Sequence, residues 1–313
     1  MARIRAFEEA AAAAVAEGTV LGLIHPYIGQ EAIAVGVCAN LTRDDLLLST
    51  HRGHGHTLAK GASPAGMMCE LLGRANGVCG GKGGSMHIAD ASVGMLGANG
   101  VVGANILIAT GAAQAIKMQG QDRIVSCFFG DGAVNRGPFL EGLNWAAVFR
   151  LPVLFVCEDN AFSATTRTEA MTAGPGPAAR AESLGVPAVA VDGNDVLAVD
   201  TAARDLVAAI RAGGGPRLLV ARTYRLSGHV TIDPAAYRPD HEVQERWADD
   251  PIVRCADLLR QAGLDDGTLA GDLDAARDEI AAAYRFAKDS PWPDPREAFT
   301  DVQDAGGPVM EEA

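Results

Sequence analysis

The chain has 313 residues, 48% of them hydrophobic, and a formal net charge of −13. That is enough apolar material for one large α/β domain or two small ones, and the negative charge argues against nonspecific attraction to nucleic acid or an anionic membrane surface. No apolar run reaches the ~18 residues of a spanning helix, no secretory leader is visible, and the 6 scattered cysteines form no Cys-x-x-Cys pair, which argues against a disulfide or zinc framework and fits a reduced cytoplasm.

In chain order, Ile4–Gly18 reads as an amphipathic helix closed by Gly18. Gly29 precedes a second helical pattern from about Gln30 and leaves His25 in an irregular segment. A short apolar run at Leu46 leads into His51, Arg52, His54 and His56. One reading of these histidines is a metal cluster. Against it, they alternate with glycines in an expected loop rather than at helical i, i+4 spacing, and Arg52 among them suits an anion. Gly77–His87 is glycine-rich with one lysine, yet it is neither a Walker A sequence nor GxGxxG after a strand. A second glycine-rich stretch, Gly94–Gly103, runs into a small-residue helix, Ala104–Lys117.

The centre of the chain carries the sharpest signal. Ile124–Phe129 and Leu151–Cys157 are β-branched and aromatic runs of buried-strand length, with a helix-length segment, Phe139–Arg150, between them. A βαβ unit of this kind makes its strands parallel. Asp131, in Gly130-Asp131-Gly132, and Asn160, in Glu158-Asp159-Asn160, then fall at the carboxyl ends of two strands, where open α/β sheets bind ligands. The two lie 29 residues apart. A carboxylate and an amide oxygen beside glycines suit a hard cation carrying a phosphate; the bland alternative is two glycine-rich turns. Beyond this unit the pattern predicts a loop over Thr165–Ala181, a strand at Val186–Val191, a helix at Val196–Ala212, and a strand at Arg217–Ala221 that delivers Arg225 and His229. Val230–Pro251 reads as a loop over the site, Ile252–Lys288 as two helices, and Ser290–Pro295 as a proline-rich surface segment. With no long linker or internal repeat, the expectation is one α/β domain, 1–313. It has an open parallel sheet with flanking helices and a helical tail from about 252.

Several segments together resemble one family: H-x3-GQEA at His25–Ala32, HRGHG at His51–Gly55, GKGGSMHI at Gly81–Ile88, GANGVVGA at Gly97–Ala104, FFGDGAVNRG at Phe128–Gly137, and TYR-x2-GH at Thr223–His229. In this order they resemble the alpha subunit of the thiamine-diphosphate-dependent first component of 2-oxo-acid and acetoin dehydrogenase complexes. The resemblance implies thiamine diphosphate and Mg²⁺ as cofactors. Asp131 and Asn160 would bind the ion through their side chains and Phe162 through its carbonyl. Gly132 and Ala133 would offer N–H groups to the diphosphate, with Arg52, Arg225, His51 and His229 around it. Gly100 and Val102 would meet the aminopyrimidine. His25, His54 and His229 would line the reaction pocket.

The same resemblance implies a beta subunit in an α2β2 heterotetramer, which supplies the glutamate that activates the cofactor, and a lipoyl-bearing acyltransferase as acyl acceptor. Glu31, at a helix start, is expected to be structural. Departures from the family pattern are Asp159 where asparagine is usual, Leu107 where proline is usual, and Val230 and Ala236 where mitochondrial pyruvate enzymes carry regulatory serines, although Thr231 remains. No transit peptide precedes the match, as expected of a bacterial, cytoplasmic protein. The alternatives are a ketol or acyl transferase of the same two-chain architecture, a non-catalytic assembly subunit, and a nicotinamide-dependent dehydrogenase. The last lacks its GxGxxG fingerprint here.

Overall fold

The apolar runs pair into one sheet in the computed structural model, which describes residues 1–20 and 22–301. The strands in chain order are β1 (Leu46–Thr50), β2 (Met95–Asn99), β3 (Val125–Gly130) and β4 (Val153–Asp159). A two-residue antiparallel pair follows, β5 (Phe162–Ser163) with β6 (Thr166–Arg167), and then β7 (Ala188–Asp192) and β8 (Arg217–Arg222). The sheet order is β2-β1-β3-β4-β8-β7, and every neighbouring pair is parallel. Such a sheet needs cover on both faces.

Alternation along the central strands divides that cover. Val125, Cys127 and Phe129 of β3, with Val153, Phe155 and Cys157 of β4, enter one apolar cluster. They pack there with α5 (Ala104–Met118) and α6 (Gly137–Val148). Phe128, Leu154 and Val156 point the other way. That second cluster includes residues of α1 (Ala2–Ala16), α2 (Glu31–Cys38), α3 (His54–Ala59), α4 (Pro64–Leu71), α8 (Val196–Ala209) and α11 (Asp266–Asp289). The register sets Gly130 opposite Glu158, so the chain leaves β3 and β4 side by side and Asp131 and Asn160 follow immediately.

Four segments differ from the sequence reading. Val230–Pro251 contains α9 (Asp240–Trp247), a helix with no buried residue and therefore no apolar stripe to announce it. The end of the expected loop Thr165–Ala181 is taken by α7 (Pro177–Ser183), started by proline in its first turn. The stretch around Gly97 holds strand β2, whose glycine obscured the period-two pattern. His54 and His56 lie on helix α3, not in a loop. The tail divides as expected into α10 (Pro251–Gln261) and α11, each capped by an aspartate side chain, Asp250 on the N–H of Ile252 and Asp265 on that of Thr268. Residues 302–313 of the expected tail lie outside the described residues. Among the described residues, no helix is long and apolar enough to cross a membrane.

A candidate cation and anion site

At the carboxyl end of β3, Asp131 is 1% exposed. Its Oδ1 accepts from the Gly132 N–H at 3.2 Å, and its Oδ2 accepts from the Thr168 hydroxyl. These partners are neutral. Burial, reinforced by the neighbouring Asp159 carboxylate, pushes the Asp131 carboxyl up to about 7. One strand over, Asn160 is buried. Its Oδ1 accepts from the Phe162 N–H at 3.2 Å, and its Nδ2 donates to Gln30 Oε1 at 3.1 Å. After Asn160 the chain turns through Ala161 (φ 69°) and, within the β5–β6 hairpin, Ala164 (φ 51°), two non-glycine residues in the left-handed region. Gly132 is needed because of this hairpin: a Cβ there would stand 2.7 Å from Ser163 Cβ. A buried carboxylate crowded by a second one, with an amide oxygen on the adjacent strand, is a donor set for a hard divalent cation.

The opposite charge faces the same cavity. Arg52 is 4% exposed, and it donates to the carbonyls of Pro26 (2.9 Å) and His229 (3.0 Å) and to His229 Nδ1 (3.0 Å). Arg225 is 1% exposed and donates to Ala164 O at 2.9 Å, to the Tyr237 hydroxyl at 2.6 Å and, at 3.4 Å, to the same His229 nitrogen. Its Nε has no partner. Burial first, and then mutual repulsion, lowers Arg52 to about 9, and burial likewise lowers Arg225. Two guanidinium groups held this way, with oxygen and nitrogen acceptors but, among the described residues, no carboxylate in hydrogen-bond contact, suit a dianionic ligand.

The Arg52 charge also acts on the histidines, second to their burial. Rings of His25, His51 and His229 meet edge to face at centroid separations of 4.5–5.8 Å. Burial, and then the charge of Arg52, lowers their pKa values to about 3, 2 and 4 respectively. All three are neutral imidazoles at pH 7. The donors facing His229 Nδ1 place its proton on Nε2, and His25 Nδ1 is buried without a partner.

One cavity of about 220 Å³ gathers most of the residues singled out from the sequence. Asp131, Gly132, Ala133, Asn160 and Phe162 line it from β3, β4 and the hairpin, Arg52, Arg225, His25, His51 and His229 from the loops, and Gly100 and Val102 from the turn before α5. His54 is the exception. It is fully buried beneath the loop, with Nδ1 on Glu8 at 3.1–3.2 Å and Nε2 on the Ser85 hydroxyl at 2.9 Å. The helix that starts at His54 turns it away from the direction of His51. His56 is also withdrawn, held between Ser49 Oγ (2.7 Å) and Glu158 Oε1 (2.9 Å). The structure therefore does not assemble His51, His54 and His56 around a metal. The three imidazoles it brings together are those of His25, His51 and His229.

Glu31 takes a structural place, accepting from Arg5 Nε at 2.6 Å and from the Gly29 N–H at 2.9 Å. The sequence reading missed Glu158 and Gln30, buried polar groups of the cavity floor and of the Asn160 support. The signal was available for Gln30, a polar residue just before an almost wholly apolar helix.

A family model for the dehydrogenase E1 component matches residues 1–296. The chain belongs to the dehydrogenase E1 component family. It is 44% identical over 302 residues to the alpha subunit of acetoin:2,6-dichlorophenolindophenol oxidoreductase of Bacillus subtilis (strain 168), covering 96% of this chain and 91% of that relative. The subunit of the same name from Cupriavidus necator is 43% identical over 307 residues, with the same coverage. The pyruvate dehydrogenase E1 component subunit alpha of Rhizobium meliloti is 40% identical over 304 residues, covering 96% of this chain and 87% of that relative. In this E1 chain the cation pole at Asp131 and the anion pole at Arg52 and Arg225 thus lie on a framework shared along nearly its whole length with E1 alpha subunits.

Proposed function

We propose that this chain is the alpha subunit of a thiamine-diphosphate- and Mg²⁺-dependent dehydrogenase that acts on acetoin or a small 2-oxo acid and passes the acyl unit to a lipoyl group. The observation that carries the reading is the pairing, across one cavity, of a buried carboxylate–amide oxygen pair with two buried guanidinium groups that, among the described residues, no carboxylate hydrogen-bonds. A metal-bound diphosphate satisfies both poles at once. When bound, thiamine diphosphate supplies a nucleophilic thiazolium carbon and an electron sink for cleaving the bond beside the substrate carbonyl.

The protein's share is placement and proton handling. Asp131 and Asn160 would hold Mg²⁺ with the Phe162 carbonyl. Arg52 and Arg225 would balance the diphosphate charge, and the N–H groups of Gly132 and Ala133 would orient it. His229 would present its Nε2 proton to a developing oxyanion, and His25 Nδ1, neutral and unpartnered, would accept or return a proton. His51 would fill the cavity wall beside them.

A beta subunit is part of the reading, in an α2β2 assembly. Activation of the cofactor needs a free carboxylate, and the two glutamates at hand are already engaged: Glu31 by Arg5, and Glu158 by the Tyr27 hydroxyl and His56. The apolar side chains of Val101, in the cavity-lining turn, and of Ile108 and Leu140, in the first halves of α5 and α6, are exposed and offer a surface for that partner. The test is turnover with Mg²⁺ and thiamine diphosphate on acetoin, pyruvate and branched-chain 2-oxo acids, read with a dye acceptor. The expected result is turnover by the chain reconstituted with its beta subunit and none by the chain alone. Robust turnover by the isolated chain contradicts the reading.

A further inference from the structure

The glycine-rich loop Gly77–His87 lies outside the function assigned so far. Five of its residues are glycine, and such a segment loses a large conformational entropy when it is ordered. What orders it is a buried carboxylate. Glu70 sits on α4 among the buried Met67, Met68 and Leu71, with no exposed surface. Its Oε2 accepts from the N–H groups of Cys79 (2.8 Å) and Gly81 (2.9 Å), and its Oε1 from those of Gly83 (2.7 Å) and Gly84 (3.0 Å). The loop is a nest of backbone donors of the kind that usually takes up an external anion, closed here around the protein's own glutamate. The glycines allow this approach: a Cβ at Gly77 would lie 2.8 Å from Glu70 Cα, and one at Gly81 2.7 Å from the Gly73 carbonyl carbon.

A second anchor acts on the next residue. Glu8 of α1 holds His54 Nδ1, and His54 Nε2 meets the Ser85 hydroxyl at 2.9 Å, with Phe7 edge-on to the imidazole at 5.4 Å. Three helices therefore grip this loop from below. Directly after the latch, Met86 enters the cavity lining, and a Cβ on Gly100 would stand 3.9 Å from Met86 Sδ and 3.7 Å from His87 Nε2.

We infer that Glu70, with the Glu8–His54 pair, is a positioning residue that fixes Met86 against the Gly100–Val102 wall and so shapes the end of the cavity that takes the aminopyrimidine, apart from the end that takes the diphosphate. This rests on the cofactor reading above. None of the anchoring residues touches the cavity's cation or anion pole, so their loss separates recognition of the two ends of the ligand.

The test uses the reconstituted complex carrying Glu70→Gln, which replaces one acceptor oxygen by an NH₂ that faces two backbone N–H groups. Calorimetry with Mg²⁺ present compares thiamine diphosphate with inorganic pyrophosphate, and limited tryptic cleavage after the exposed Lys82 reports on the loop without any ligand. The expected result is a dissociation constant for thiamine diphosphate raised about tenfold or more, one for pyrophosphate unchanged to within about twofold, and faster cleavage after Lys82. Ser85→Ala, which removes only the latch, gives the same pattern at smaller amplitude and serves if Glu70→Gln does not fold. Equal weakening of both ligands, or unchanged affinity and cleavage in both variants, overturns the positioning role. A wild-type complex that binds pyrophosphate and not thiamine diphosphate overturns the cofactor reading and this inference with it.

Discussion

Changing Arg52 to methionine is expected to weaken thiamine diphosphate binding by about a hundredfold or more, the loss of two charge-assisted hydrogen bonds, while the melting temperature of the unliganded protein moves little. The asymmetry follows from the environment of the guanidinium. Arg52 is buried, its charge is opposed by burial and by Arg225, and its partners are the Pro26 and His229 carbonyls and a neutral imidazole. A buried cation of that kind is costly to the empty fold, and removing it offsets the two carbonyl hydrogen bonds that go with it. The cavity reaches both carbonyl-bearing segments, so water can take the vacated positions. Calorimetry and thermal melting of the same variant check the two halves of the expectation. A collapse in melting temperature that parallels the affinity loss would make Arg52 a structural residue instead.

The mirror-image change is Asp131→Asn. It keeps the shape and an oxygen for the Thr168 hydroxyl, and it removes a charge that burial and Asp159 already disfavour. The unliganded protein is therefore expected to melt at the same temperature or higher. Affinity for thiamine diphosphate in the presence of Mg²⁺ is expected to fall about a hundredfold or more, because a neutral amide is a poor anchor for a hard dication. What remains should no longer respond to Mg²⁺. Retained, metal-sensitive affinity in this variant would place the ion elsewhere.

How much of this was legible in the sequence depends on how local the signal is. The strands β3 and β4 declare themselves as apolar runs because both faces of a central parallel strand are buried, and the positions of Asp131 and Asn160 follow from strand ends alone. Arg52 and Arg225 were found as basic residues beyond strand ends, but their approach to His229 is a tertiary fact. His54 was misjudged because its neighbours in sequence, His51 and Arg52, do line the cavity, and a six-residue helix, with one glycine and two histidines, gives almost no periodic warning. The better clue lay far upstream, in Glu8 beside Phe7 on the buried face of α1, a carboxylate that needs an interior partner. Glu70 among Met67, Met68 and Leu71 is the same kind of clue, a charge on an apolar face. Helix α9 was invisible for the opposite reason, since it buries nothing.

The central claim is that two oxygen donors at adjacent strand ends hold one divalent ion that anchors a diphosphate. It is tested most directly by titrating thiamine diphosphate into the wild-type complex with its beta subunit, once with Mg²⁺ and once with the metal chelated. The account predicts an affinity at least about a hundredfold higher with the ion present. Equal affinity in the two titrations would contradict it.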